Sequence, residues 1–257
     1  MRKFDGVTLL VTHYNRSSSL ERLLKSFKDL DCVFEDIVVS DDGSKEEHQA
    51  YLRKIQPEYS FRLITTPKNK GLGNNLNKGQ DAVVTPYTLY VQEDFVPSAI
   101  FPTHFEDALR FMNEDKSLDM VRFYAYIQYP YLKYFDKGYS EMLYKPWYLD
   151  YHKIYYYSDH PHLRRRNYFE KFGRYAEGIK GDRTEYRMCL AFIQNKGKAL
   201  FFNEYKSLFD QVNSADEPTT MSRGSWTTSE NPVIQLVRYF YRQTRYNYDL
   251  LFTKYKY

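Results

Sequence analysis

Two acidic pairs, Asp41-Asp42 and Glu93-Asp94, each stand at the end of a short apolar run within the first 95 residues. No other feature limits the possible folds as much. The runs read VTLLVTHYN from Val7, DIVVSDDGS from Asp36, RLITTP from Arg62 and YTLYVQED from Tyr87. Each is rich in β-branched or aromatic residues and is followed by turn chemistry, which predicts a strand.

Helical spacing separates these runs. Leu20, Leu23, Leu24 and Phe27 recur behind Ser17 to Ser19, a cluster that can supply an N-cap. A second helix is expected after Ser44, where Glu47 completes a capping-box pattern. Strands alternating with helices argue for a mostly parallel central sheet flanked by helices. Parallel strands put their carboxyl ends on one edge, where ligands bind in open α/β sheets. Thr12, Asp41, Asp42, Glu93 and Asp94 are therefore expected to converge on one crevice.

Four strings in this order, THYNR (Thr12 to Arg16), VVSDDGS (Val38 to Ser44), NKGLGNNLNKG (Asn69 to Gly79) and LYVQED (Leu89 to Asp94), resemble glycosyltransferase family 2. The similarity covers about the first half of the chain and continues more weakly to Asp182. It implies the GT-A fold: a nucleotide-sugar-binding α/β part, expected over residues 1–120, and an acceptor-binding, aromatic-rich C-terminal extension over 121–257, in one continuous domain. It further implies that Thr12, Tyr14, Asn15, Arg16, Asp41, Asp42, Gly71 and Glu93 contact the donor nucleotide, with Asp42 accepting a hydrogen bond from the base. The family's acidic metal motif ends on Asp94, which would hold Mn²⁺ or Mg²⁺. Gln92 stands where an aspartate is common, so two carboxylates remain.

The acidic pair has a chemical reason of its own. A nucleoside diphosphate leaving group gains negative charge as the sugar bond breaks, and a divalent ion across its oxygens stabilises that charge. Such ions need only one or two protein carboxylates beside waters and phosphates. Read alone, Glu93-Asp94 could merely solvate a strand end. Asp41-Asp42-Gly43-Ser44 is also ordinary turn composition, with Gly43 free to adopt positive φ and Ser44 able to cap a helix. Gly71, Gly73 and Gly79 do not form a dinucleotide fingerprint, which disfavours a nicotinamide enzyme. Their segment either passes near base and ribose or is a plain connection before a helix.

Inverting sugar transfer needs a base to take the acceptor proton. Asp182, in EGIKGDRTEYRM, occupies the region that resembles the family's catalytic aspartate. Glu185 follows on the same helical face, and Glu177 is more distant. An acidic residue at a helix start also complements the dipole, so a structural reading stays open. His160 and His162 are two apart, a spacing that suits either metal ligation or a plain loop. Arg164 to Arg166 would suit a diphosphate or an acidic acceptor, or form a solvated basic face.

Composition narrows the alternatives. With 257 residues the chain can bury a large core. No run reaches a transmembrane length. MRKFDGVTLL moves straight into the first strand, so no signal peptide is expected, and Cys32 and Cys189 alone indicate neither a disulfide framework nor a zinc cluster. A cytoplasmic setting is the expectation. The 27 Tyr and 18 Phe crowd the second half, mixed with Lys and Arg. Aromatic rings stack on sugar faces, which suits a saccharide acceptor. The tail from Val233 to Tyr257 has helical spacing of apolar, aromatic and basic residues, compatible with a packed terminal helix or with peripheral membrane contact. The net charge of +4 demands no anionic partner. No RRM, KH or helix-turn-helix pattern appears, so nucleic acid is not expected. A nucleotidylyltransferase would want a glycine- and arginine-rich loop after the first strand. The expected function is transfer of a sugar from a nucleotide-diphosphate donor, a UDP-sugar first, to a saccharide or lipid-linked acceptor in bacterial surface polysaccharide synthesis. The competing reading is a non-catalytic GT-A-like protein that binds a nucleotide or glycan.

Overall fold

Period-two burial builds the centre of the molecule. In β1 (Arg2–His13) Val7, Leu9 and Val11 face one core while Leu10 faces the other, and Val39 against Val38 repeats this in β2 (Cys32–Asp41). Strands buried on both faces require helices on both sides. The computed structural model, which describes residues 1–213, Glu217 and residues 231–254, has that arrangement. One core packs α1 (Ser17–Asp29), α2 (Glu46–Tyr59) and α4 (Phe101–Glu114) on the sheet; the other packs α3 (Leu72–Asp81), α5 (Tyr168–Phe172) and α6 (Gly181–Gln194).

Among the described residues the sheet has nine strands. β3 (Arg62–Thr65), β2, β1 and β4 (Tyr87–Gln92) run parallel. β9 (His162–Arg165) is inserted antiparallel between β4 and β6 (Met120–Arg122), and β10 (Ala199–Phe202) lies parallel to β6. The far edge is a hairpin of β7 (Leu132–Asp136) and β8 (Tyr139–Met142). The sheet thus crosses residue 120 without a break. A small second sheet joins β5 (Phe95–Pro97) to β11 (Phe209–Gln211). A final helix, α7 (Pro232–Phe252), follows; Tyr255, Lys256 and Tyr257 of the predicted tail lie outside the described residues.

Both predicted helix caps differ from the observed ones. At α1 the N-cap position is Arg16, no cap side chain bonds the helix, and the Glu217 carboxylate accepts from the amides of Ser18 and Ser19 instead. α2 begins at Glu46, because the Ser44 hydroxyl is used by Asp41. The glycine-rich segment is no loose connection. A Cβ on Gly73 would meet the Ala176 carbonyl oxygen at 2.2 Å, and one on Gly79 would meet Leu10 Cδ1 at 2.7 Å. These two glycines let α3 lie directly on β1 and on the irregular stretch before α6. Only Gly71, with φ of 88° at the start of α3, uses the glycine conformational freedom.

Candidate active site

Register brings the strand ends together. Thr12 pairs with Ser40 on one side and Gln92 on the other, and His13 pairs with Asp41. The turns after β1, β2 and β4 therefore open on one edge, as the sequence predicts.

The first acidic pair is saturated by its surroundings. Asp41, fully buried, accepts from His13 Nδ1 at 2.8 Å, from the Ser44 amide and hydroxyl, and from Thr65 Oγ1 at 2.8 Å. Burial pushes its acidity the other way, but the bonds from His13, Ser44 and Thr65 hold its pKa down at about 2. Asp42 accepts from the amides of Lys70 at 2.9 Å and Gly71 at 2.8 Å. Its pKa is raised, because burial outweighs those two bonds. Asp42 thereby clamps the turn after β2 to the loop before α3. Gly43 is required between them, since a Cβ there would sit 2.5 Å from the Lys68 carbonyl carbon. Asn15 locks the neighbouring turn, receiving the Lys45 amide and donating its own to Ser44. Thr12 turns its hydroxyl to Tyr90 at 2.9 Å within the sheet, and Tyr14 sits half-buried at the rim.

The second pair is held differently. The Arg16 guanidinium, only 5% exposed, lies 3.3 Å from Asp94 and 3.7 Å from Glu93, and its other nitrogen bonds Asn213 and the Glu217 carbonyl. Asp94 Oδ2 accepts from Gln211 at 2.8 Å, whereas its buried Oδ1 has no hydrogen-bond partner among the described residues. Glu93 is pushed up to about 8, by burial first and by the adjacent Asp94 charge second, against the pull of Arg16.

A third acidic group stands where the antiparallel register, Tyr90 against His162, returns the chain to this side of the sheet. Glu185 accepts from Ser158 Oγ at 2.9 Å and from the Asp159 amide at 3.2 Å. Asp159 is 4% exposed, accepts from Tyr157 at 2.5 Å, and leaves Oδ2 without a partner among the described residues. Burial and the Glu185 charge raise its pKa. Asp182 remains exposed on the first turn of α6 and bonds the Arg183 amide. Glu177 ties Asn74 and Asn77 of α3.

Residues around Asp159 were legible only as a histidine- and arginine-rich string. His160 packs edge-on against Tyr126 at 4.5 Å and Tyr124 at 5.3 Å, and His162 is fully buried beside Tyr90 and Tyr157. The arginine run is neither a solvated face nor an anion clamp as a unit. Arg164 is fully buried, bonding Gln80 and Tyr175 among the rings of Tyr90, Tyr168 and Phe169, and Arg165 is spent on carbonyls of Met112, Asp115 and Leu118. Asp159 itself carries no motif; its signal is the buried contact with Glu185, which sequence spacing does not reveal.

The model of the family described as Glycosyl transferase family 2 matches residues 8–173, the stretch that carries both strand-end acidic pairs. The chain belongs to glycosyl transferase family 2. Among curated members, the poly-β-1,6-N-acetyl-D-glucosamine synthase of Staphylococcus aureus is 26% identical over 94 residues, and that of Staphylococcus epidermidis 24% over 95. Each match covers 37% of this chain and 23% of the relative, so the chain spans less than a quarter of those proteins' length. Among solved structures, S. aureus TarS 1-349 in complex with UDP-GlcNAc superposes with a TM-score of 0.65 at 16% identity, covering 96% of this chain and 76% of that one. A mannosyltransferase from Pyrobaculum calidifontis, solved with GDP-Man and Mn²⁺, gives 0.56 at 14% identity, covering 93% and 64%. These likenesses establish the GT-A fold of this family 2 chain.

GT-A members commonly use a divalent metal. The residues here fit a sparse site of that kind, because Asp94 Oδ1 is a buried carboxylate oxygen to which none of the described residues donates and Glu93 adjoins it. Among the described residues no three His, Cys, Asp or Glu side chains gather as a ready-made cage.

Proposed function

We propose that the chain is an inverting glycosyltransferase that moves a sugar from a uridine diphosphate donor to a saccharide or lipid-linked acceptor during assembly of a bacterial surface polysaccharide. The observation that carries this reading is the free, buried Asp94 Oδ1 at the shared strand edge, beside a clamped nucleotide-side turn. The family and its polysaccharide-synthase and UDP-GlcNAc-bound members support the donor and the product class.

In this reading the turns of Tyr14 to Arg16 and Asp42 to Gly71 form the nucleotide cradle. Asp94, with Glu93, would hold Mn²⁺ or Mg²⁺, which would supply positive charge to stabilise the departing diphosphate. Arg16 offers its guanidinium to the same phosphates. Glu185 takes the proton from the acceptor hydroxyl; that oxygen bonds the anomeric carbon as the bond from the carbon to the diphosphate oxygen breaks, and the electron pair leaves with the diphosphate. Glu185 is preferred to Asp182 as the base because Ser158 and the Asp159 amide fix its position, whereas Asp182 is exposed. Asp159 acts through Glu185 as a positioning residue. The basic-aromatic C-terminal segment lies against a membrane surface.

A melting-temperature panel of UDP, GDP, CMP, ADP and TDP, each with and without Mn²⁺, tests the donor assignment. A metal-dependent rise with UDP alone is expected. A folded sample that responds to none of them would reject the donor site and favour a glycan-binding protein without turnover.

A further inference from the structure

Helix α7 is docked inside out. It starts cleanly, with the Asn231 side chain accepting from the amides of Val233 and Ile234, and it runs for 21 residues without burying one of them. Its attachment to the domain is mostly polar and aromatic, with Leu250 the aliphatic side chain that packs against the core. Gln243 and Tyr239 bond the Leu149 carbonyl, Arg242 bonds the Tyr151 hydroxyl, Asp249 receives the Tyr186 hydroxyl, and Tyr246 packs on Tyr186 at 5.1 Å. The apolar side chains point away. Val233, Leu236, Val237, Phe240 and Tyr241, then Tyr248, Leu251 and Phe252, are all more than half or about half exposed and recur at helical spacing on one stripe. An apolar stripe of this length is not left to water without a reason.

A second element extends the stripe. The loop whose Leu149 carbonyl α7 grips presents Leu149 at 78% and Trp147 at 71% exposure, with the Lys145 ammonium 5.5 Å from the tryptophan ring. Charge chooses the occupant. Besides Arg242, which is turned to Tyr151, the basic side chains of residues 231–254 are Arg238, Arg245 and Lys254, and the one acidic residue, Asp249, is already engaged by Tyr186 and Arg245. Two copies meeting through this face would set these cations against one another with no free carboxylate between them. A layer of phosphate headgroups over hydrocarbon satisfies both the cations and the stripe.

We propose that α7 and the Trp147–Leu149 loop together form a docking surface for an anionic phospholipid bilayer, with the apolar stripe, Trp147 and Leu149 entering the interface and the arginines meeting phosphates. This deepens the membrane contact of the functional reading above and does not depend on which sugar is transferred. It also explains why the helix is fastened by polar bonds: its apolar side is reserved for lipid.

The test uses the full chain carrying Trp226→Phe, which leaves Trp147 as its sole tryptophan, with vesicles of phosphatidylcholine alone or mixed with phosphatidylglycerol. Co-flotation and a blue shift of Trp147 emission are expected with the anionic vesicles, both weakening as salt is added. Leu236→Ser with Phe240→Ser should weaken vesicle binding by about tenfold or more, and Arg238→Gln with Arg245→Gln should reduce it on anionic vesicles only. Leu236, Phe240 and Arg245 are exposed and Arg238 is half-buried, and circular dichroism verifies that the variants are folded. Absence of flotation from a sample that still gives its nucleotide melting shift overturns the proposal while sparing the donor assignment. A dimer that the Leu236 and Phe240 substitutions dissociate, or equal binding to neutral vesicles, also overturns it.

Discussion

The turns after β2 and β4 offer the same chemistry, two adjacent carboxylates at a parallel strand end, and the protein treats them in opposite ways. All four side-chain oxygens of Asp41 and Asp42 receive hydrogen bonds from the surrounding chain. Asp94 keeps one buried oxygen free of the described residues, and burial first and the Asp94 charge second raise the pKa of Glu93. Hydrogen bonds to an ionised carboxylate stabilise the fold, whereas an unpaired buried oxygen costs free energy that folding alone does not recover. The first pair shapes the crevice, and the second keeps the open oxygen that the proposed metal role would use.

Substitutions that separate architecture from reaction will sharpen this contrast. The largest effect is expected for Asp94→Asn: transfer falls roughly a hundred- to a thousandfold, since a developing charge loses its stabiliser, while the melting temperature barely moves. If that variant instead unfolds, the second pair is as structural as the first. Glu185→Gln follows, with a loss of turnover of about a hundredfold or more and an unchanged nucleotide melting shift, measured on the same preparation. Asp41→Asn is expected to do the reverse of Asp94→Asn, costing about 2 kcal/mol of stability as His13, Ser44 and Thr65 lose their anion. The sign of its pH dependence is fixed: because the folded pKa of Asp41 is depressed to about 2 from 3.8, its contribution is complete above the unfolded value and is lost as pH falls from 3.8 through 2. Denaturant titrations of wild type and variant should therefore converge over that window. The smallest effect is expected for Glu93→Gln, which should melt at or slightly above the wild-type temperature at neutral pH, because the carboxyl it replaces is disfavoured as an anion by burial and by Asp94.

How legible each part was follows from how local its causes are. The four strands and the convergence of their acidic ends were readable because alternation, β-branching and turn residues act within a few positions. The caps were not, since α1 is capped by Glu217, about two hundred residues away in sequence. Gly73 and Gly79 read as loop residues because the atoms that forbid a side chain there belong to Ala176, Leu10 and Ser40. Arg164 read as an anion ligand or part of a solvated face because its aromatic enclosure is assembled from Tyr90, Tyr168, Phe169 and Tyr175 only in the fold. Asp159 gains its meaning from Glu185 on another element, and no local pattern announces that meeting.

The insertion of β9 between β4 and β6 bears on how the protein is made. The strand that fills the middle of the sheet is specified by residues 162–165, long after β4 has left the ribosome. Until then β4 carries Leu89, Tyr90 and Val91 beside an unpaired backbone edge, the kind of surface on which nascent chains join one another. A fragment ending near residue 120 would keep that exposed edge permanently. Synthesis must therefore be fast, or shielded, across these seventy or so residues, and slow codons or truncations placed there should send the product into aggregates before any crevice exists to bind a donor.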